Sequence, residues 1–138
     1  VNLIKLFSIL AIFLFSNLVG CTSKKIDFMV GNWETVEAQQ SEHGKTRGTL
    51  NFERLNTVTM IAEFLEFDDK MVSSGSYSFD GNVLSLNLVR HSGVTNDKPI
   101  EHKENDPVVI NFKFTKINQD TIILTNSDDN IPIKFTRK

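Results

Sequence analysis

One cysteine occurs in the 138 residues of this chain, Cys21, close to the N-terminus. A disulfide within the chain is therefore impossible, and a zinc site built on two or more thiolates is excluded with it. Charge of one sign is equally scarce: 15 Lys and Arg against 17 Asp and Glu leave a formal net charge of −2. No cluster of Lys or Arg with interleaved aromatics appears, so nucleic acid is not an expected partner. Catalytic motifs are missing as well. There is no Gly-x-Ser-x-Gly elbow and no phosphate-cradling glycine loop. Glu63 and Glu66 fall on opposite faces of one strand, where they cannot pair as acid and base. Asp68-Asp69 and Asp128-Asp129 read as turn residues. The expectation is a protein that is not an enzyme and needs no cofactor or metal.

Long apolar runs are confined to the N-terminus. Lys5 supplies a positive charge, and Leu6 to Val19 is then almost wholly apolar, broken only by Ser8 and Ser16-Asn17. The run is shorter than the roughly 18–20 apolar residues a spanning helix requires. Its charged start, apolar middle and small-residue end are the parts of a secretory signal. It closes on Leu18-Val19-Gly20-Cys21, which resembles the lipobox of bacterial lipoproteins. A short membrane anchor that happens to end at a cysteine is the alternative. The resemblance implies cleavage before Cys21 and attachment of a diacylglyceryl group to its sulfur, usually with an amide-linked acyl chain such as palmitate. Each buried methylene contributes about 0.8 kcal/mol, and two chains already hold a protein stably on a membrane. The expected organisation is a signal peptide over 1–20, a lipidated tether over 21–29 and one domain over 30–138. Thr22 stands where an Asp would mark inner-membrane retention in enteric bacteria. The expected address is the bacterial cell envelope, on the outer membrane facing the periplasm.

Beyond the tether the chain reads as strand, turn, strand, with scarcely a helical period. Strands are expected over Asn32–Gln39, Thr46–Arg54, Thr57–Phe67, Ser73–Phe79, Val83–Val89, Val108–Ile117, Thr121–Thr125 and Ile131–Arg137. Period-two alternation carries these assignments. Leu84, Leu86 and Leu88 share one face with Ser85 and Asn87 opposite, and Val108, Ile110, Phe112 and Phe114 form the next apolar row. Asp80-Gly81-Asn82 between two alternating runs is a hairpin signal. The length of the third strand suggests a bend or bulge, and the small residues Ser73-Ser74-Gly75-Ser76 suit a bend into the fourth. Eight antiparallel strands joined mostly by tight turns are best accommodated by an all-β up-and-down barrel, because closure removes exposed edges. A β-sandwich is the alternative.

Several segments in order resemble the small bacterial lipocalin-like domains. They are Gly31-Asn32-Trp33, Gly48-Thr49-Leu50-Asn51-Phe52, the run from Gly75 to Asn82, and the closing Ile133-Lys134-Phe135-Thr136-Arg137. The resemblance spans nearly all of Val30 to Lys138. Gly31 is read as letting the chain enter the first strand sharply, and Trp33 as plugging one end, burying on the order of 200 Å². The resemblance implies that Arg137, on the same face as Ile131, Ile133 and Phe135, packs over the Trp33 indole. A frayed, solvated Arg137 is the other possibility.

A barrel of eight strands is just wide enough to be filled by side chains or to keep one small cavity. The candidate lining residues are Phe52, Met60, Phe64, Tyr77, Phe79, Phe112 and Phe114. The same aromatics would equally serve as an ordinary core. His43, His91 and His102 all fall in expected loops, at spacings that match no metal-ligand pattern. Arg90 to Asp106, 17 residues, is read as one long loop. It exceeds the usual limit of roughly 12–15 residues and is therefore a candidate lid or partner-binding segment. Two functional expectations follow. One is an envelope barrel, held to the membrane through Cys21, that binds a small hydrophobic ligand or lipid. The other is an envelope protein-interaction module, an inhibitor or assembly factor, that uses the 90–106 segment.

Overall fold

The computed structural model describes residues 27–41, 44–67, 69–95, 98–102 and 107–138. The expected signal peptide, the lipobox and His43 lie outside the described residues. A helical turn over 27–29 leads into β1 (Gly31–Thr35), followed by β2 (Gln39–Ser41), β3 (Gly44–Phe52) and β4 (Thr57–Phe64). The remaining strands are β5 (Asp69–Phe79), β6 (Val83–Thr95), β7 (Lys98–His102), β8 (Val108–Asn118), β9 (Thr121–Asn126) and β10 (Pro132–Arg137). β1 pairs with β3 on one side and with β10 on the other, so the antiparallel meander closes. Eight strands form the closed barrel; the short β2 and β7 extend its wall along β3 and β6.

The alternation legible in the sequence decides what points inward. Leu84, Leu86 and Leu88 of β6, Ile122 and Leu124 of β9, and Leu50 and Phe52 of β3 are buried, while Asn87 is exposed. Trp33 and Val58 complete the same core. Met29 is buried and Phe28 packs against the core, so residues read as tether from the sequence take part in sealing the barrel. The Asp80-Gly81-Asn82 hairpin forms as expected. Gly81 supplies a positive φ of 98°, and the Asp80 carboxylate accepts from the backbone N–H groups of Asn82 and Val83 at 2.8 and 2.7 Å.

Three local expectations are corrected. The first strand is interrupted after Thr35, where residues 36–38 bulge out before β2 resumes pairing with β3. The third strand stops at Phe64 and shows no bulge; its partner β5 instead begins early, at Asp69. The 90–106 segment is not a single long loop. β6 continues to Thr95 and β7 returns along it from Lys98 to His102, so much of the segment satisfies its backbone groups as a two-stranded extension.

The register shifts once between β5 and β6, at Ser74/Gly75, where Val89 is the extra residue on β6. Gly75 is what allows it. A Cβ placed there would lie 1.8 Å from the backbone oxygen of Asn87, and no side chain fits. The small-residue run thus lies opposite a bulge in the neighbouring strand, while β5 itself runs unbroken from Asp69 to Phe79.

Candidate functional site

The two ends of the barrel differ in chemistry. At one end the turns β3–β4, β5–β6 and β8–β9 gather around the entry of the chain. Trp33 plugs this end, and its indole Nε1 donates to the Met29 carbonyl at 3.0 Å. Arg137 lies over the ring, with its Cζ 4.3 Å from the Trp33 ring centroid and 5.3 Å from that of Phe28. Its guanidinium also donates to the carbonyls of Val30 (2.8 Å) and Phe28 (2.7 Å). Only a planar fork of donors can serve two carbonyls and an aromatic face together. The frayed alternative for Arg137 is therefore not what the structure contains. Gly31 enters β1 at φ 129°, and a Cβ there would sit 3.2 Å from Arg137 Nη1. Lys116 Nζ caps the outer side of Phe28 at 4.3 Å. This end is sealed.

Of the seven candidate lining residues, four lie in the packed interior: Phe52, Tyr77, Phe79 and Phe112 are buried. Phe52 meets Tyr77 edge to face at 4.9 Å, and Phe79 meets Phe114 at 4.6 Å, which are core contacts. Tyr77 donates its hydroxyl to the Glu53 carbonyl at 3.2 Å. Burial, with the Asp27 carboxylate adding to it, raises its pKa above the ordinary 10.0. Met60 and Phe64 differ from these. They rise along β4 toward the other end and are only half-buried.

At the other end the strands differ in height. β4, β5 and β6, with β2 and β7, rise past the starts of β8 and β10 and form a taller wall. Ile110 and Ile133 line the shorter wall, half-buried against the core. The rim carries exposed apolar side chains, Leu65, Phe67 and Met71. Inside the taller wall lies a polar pair that sequence reasoning missed. Ser73, 2 % exposed, is hydrogen-bonded through Oγ to His91 Nδ1 at 2.8 Å. The bulge at Val89 brings them together. Strict alternation from Leu88 would turn Arg90 inward; the extra residue turns His91 inward instead, as bulges do when they re-aim a side chain. His91 Nε2 and Asp69 Oδ1 are buried without a hydrogen-bond partner among the described residues. Ser73 is buried, and the pair ties β5 to β6. No group of three or more His, Cys, Asp or Glu that could hold a metal ion occurs among the described residues.

Toward this end the interior carries half-buried apolar side chains beside the Ser73–His91 pair, opposite the end filled by Trp33 and Arg137. No family model matches the chain, and neither a curated protein nor a solved structure is similar to it.

Proposed function

We propose that this chain is a lipid-anchored, lipocalin-like envelope barrel that binds a small hydrophobic ligand or lipid at its open end and acts by binding rather than by catalysis. The difference between the two ends carries the proposal. Trp33 and Arg137 seal one end, whereas Met60, Phe64, Ile110 and Ile133 stay half-buried toward the other. Half-buried apolar side chains around one mouth lose water contact when an apolar ligand covers them, a gain of about 25 cal/mol per Å². The lipobox-like Leu18-Val19-Gly20-Cys21 supports the membrane address, and the ordered Gly31-Asn32-Trp33 and Arg137 motifs support the lipocalin-like assignment. Native mass spectrometry of protein purified from membranes, followed by solvent extraction, tests the ligand. A co-purifying lipid that is lost on Met60→Gln or Ile133→Gln supports the proposal; an empty protein that also fails to take up an apolar fluorophore sinks it. Labelled palmitate tests the anchor: it is expected to enter the wild type and not Cys21→Ser.

The interaction-module alternative draws on one observation. Among the described residues β7 pairs only with β6, which leaves its outer edge open for an added strand. Removal of residues 96–101 with no change in captured envelope partners would count against it.

A further inference from the structure

Leu55 is the least explained residue of the fold. It sits in the 3-10 turn between β3 and β4, 94 % exposed, with φ 69° and ψ 26°. A leucine there meets two penalties at once: the left-handed region is disfavoured for any side chain with a Cβ, and its isobutyl group lies in water. Asn56 beside it also has a positive φ, of 63°, and suits that conformation far better. Nothing inside the barrel needs Leu55. A residue that harms the free fold in two ways suits an environment absent from the free fold.

The chain's own geometry says which environment. Asp27 Oδ1 lies 4.0 Å from Arg54 Nη1, so the N-terminal segment enters the barrel beside Leu55. Six residue steps separate Asp27 from Cys21, a reach of at most about 21 Å. β5, with 11 residues, represents the wall that separates the two ends. At about 3.3 Å per residue and a tilt near 40°, that wall is on the order of 27 Å tall. A tether fixed to the sealed end therefore keeps that end near the bilayer and is too short for the barrel to stand inverted on its open rim. Ile117, the bulged residue at the end of β8, and Val83 at the start of β6 are further exposed apolar side chains around the same end. The charges nearby are mixed: Arg54 is exposed beside Asp27, Asp120 lies beside Arg137, and Lys116 over Phe28 is offset by the exposed Glu53 and Asp80 of the neighbouring turns. The surface thus favours the apolar part of the interface without selecting anionic headgroups.

We propose that the sealed end of the barrel is a membrane-contact surface on which Leu55, aided by Ile117, inserts among neutral lipid headgroups, so that the open end faces away from the bilayer. The proposal rests on acylation of Cys21. Its test uses the full chain expressed in bacteria, purified from membranes and reconstituted in phosphatidylcholine vesicles, with Leu55→Cys, Ile117→Cys or Phe67→Cys carrying an environment-sensitive fluorophore. Acylated Cys21 leaves the introduced thiol as the one to be labelled. The expected result is a blue-shifted emission at positions 55 and 117, quenched by spin-labelled lipid and insensitive to salt, with a water-like emission at 67. Water-like emission at 55 and 67 alike overturns the proposal, and a blue shift at 67 alone overturns it in favour of the open end. The mass of the N-terminal peptide from the same sample separates the two ideas. An acylated Cys21 with a wet Leu55 refutes only the contact surface, whereas an unmodified Cys21 refutes the anchor and the contact surface with it.

Discussion

Replacing Arg137 with alanine removes the stack over Trp33 and Phe28, hydrogen bonds to the carbonyls of Phe28, Val30 and Gln119, and an exposed ion pair with Asp120; three of these carry most of the energy. The guanidinium over Trp33, at 4.3 Å, is worth roughly 0.5–2 kcal/mol. The two charge-assisted bonds to the carbonyls of Phe28 and Val30 contribute on the order of 1.5 kcal/mol each, at the low end for charged donors because water can re-enter part of the site. These terms share one side chain and are not additive, so about 3 kcal/mol is the expected loss. A domain of about 110 residues unfolds with an entropy near 2.1 cal/mol/K per residue, which converts that loss to a fall in Tm of roughly 13 °C. Thermal unfolding followed by circular dichroism, with tryptophan fluorescence as a second probe, measures it. Arg137→Lys keeps the charge over the ring but cannot span both carbonyls, and is expected to recover less than half of the loss. The fluorescence should also report water reaching Trp33, as a red shift in Arg137→Ala that precedes global unfolding. A Tm within about 2 °C of wild type in Arg137→Ala would refute the assignment of Arg137 as the clasp of the sealed end.

Two further outcomes follow from local geometry. Leu55→Asn relieves a left-handed leucine and is expected to stabilise the free barrel by roughly 0.5–1 kcal/mol in denaturant titration; a destabilised variant would show that Leu55 has packing not visible in its exposure. Tyr77 has a pKa raised above 10.0 in the folded state, first by burial and then by Asp27, so folding favours its neutral form. The unfolded chain gives up this proton first as pH rises; the stabilisation is full below pH 10 and is lost as pH climbs through the folded-state value. The alkaline limb of a stability–pH curve should flatten in Tyr77→Phe relative to wild type, and an unchanged limb would remove Tyr77 from the account.

The barrel itself was legible because most of its strands obey one parity rule. Leu84, Leu86 and Leu88 are buried and Asn87 is exposed, as the alternation requires. The Trp33–Arg137 clasp was implied by the family resemblance rather than by the pattern itself, which left a frayed Arg137 open as well; the register sets the two residues directly opposite each other. The Ser73–His91 pair could not be anticipated. The extra residue Val89 inverts the parity of β6 beyond Leu88, and its only trace in the sequence is Gly75, on the neighbouring strand. The hairpin of β6 and β7 was hidden for a related reason: the sequence from Arg90 to Asp106 has only Val94, Ile100 and the adjacent Pro99 as apolar residues, too few to show a period of two. Leu55 was concealed differently. Its left-handed backbone follows from the shape of the β3–β4 connection, and the sequence offers Asn56 as the residue that suits such a turn.

Closure of the barrel through β1 and β10 has a consequence for how the chain folds. Arg137 and Val30, joined by a hydrogen bond, are 107 positions apart, whereas most other strand pairings join chain neighbours through short turns. Bringing such distant ends together costs about 3 kcal/mol more loop entropy than closing a four-residue turn. The hairpins therefore form early and the seam between first and last strands forms late, which sets the pace of folding. Until it forms, the sheet is an open ribbon with two bare edges, each able to pair with the edge of another copy. Arg137 lies on that seam. The clasp that seals one end of the finished barrel is also among the last contacts to form, so its loss should lengthen the interval in which the chain aggregates as well as lower the melting temperature.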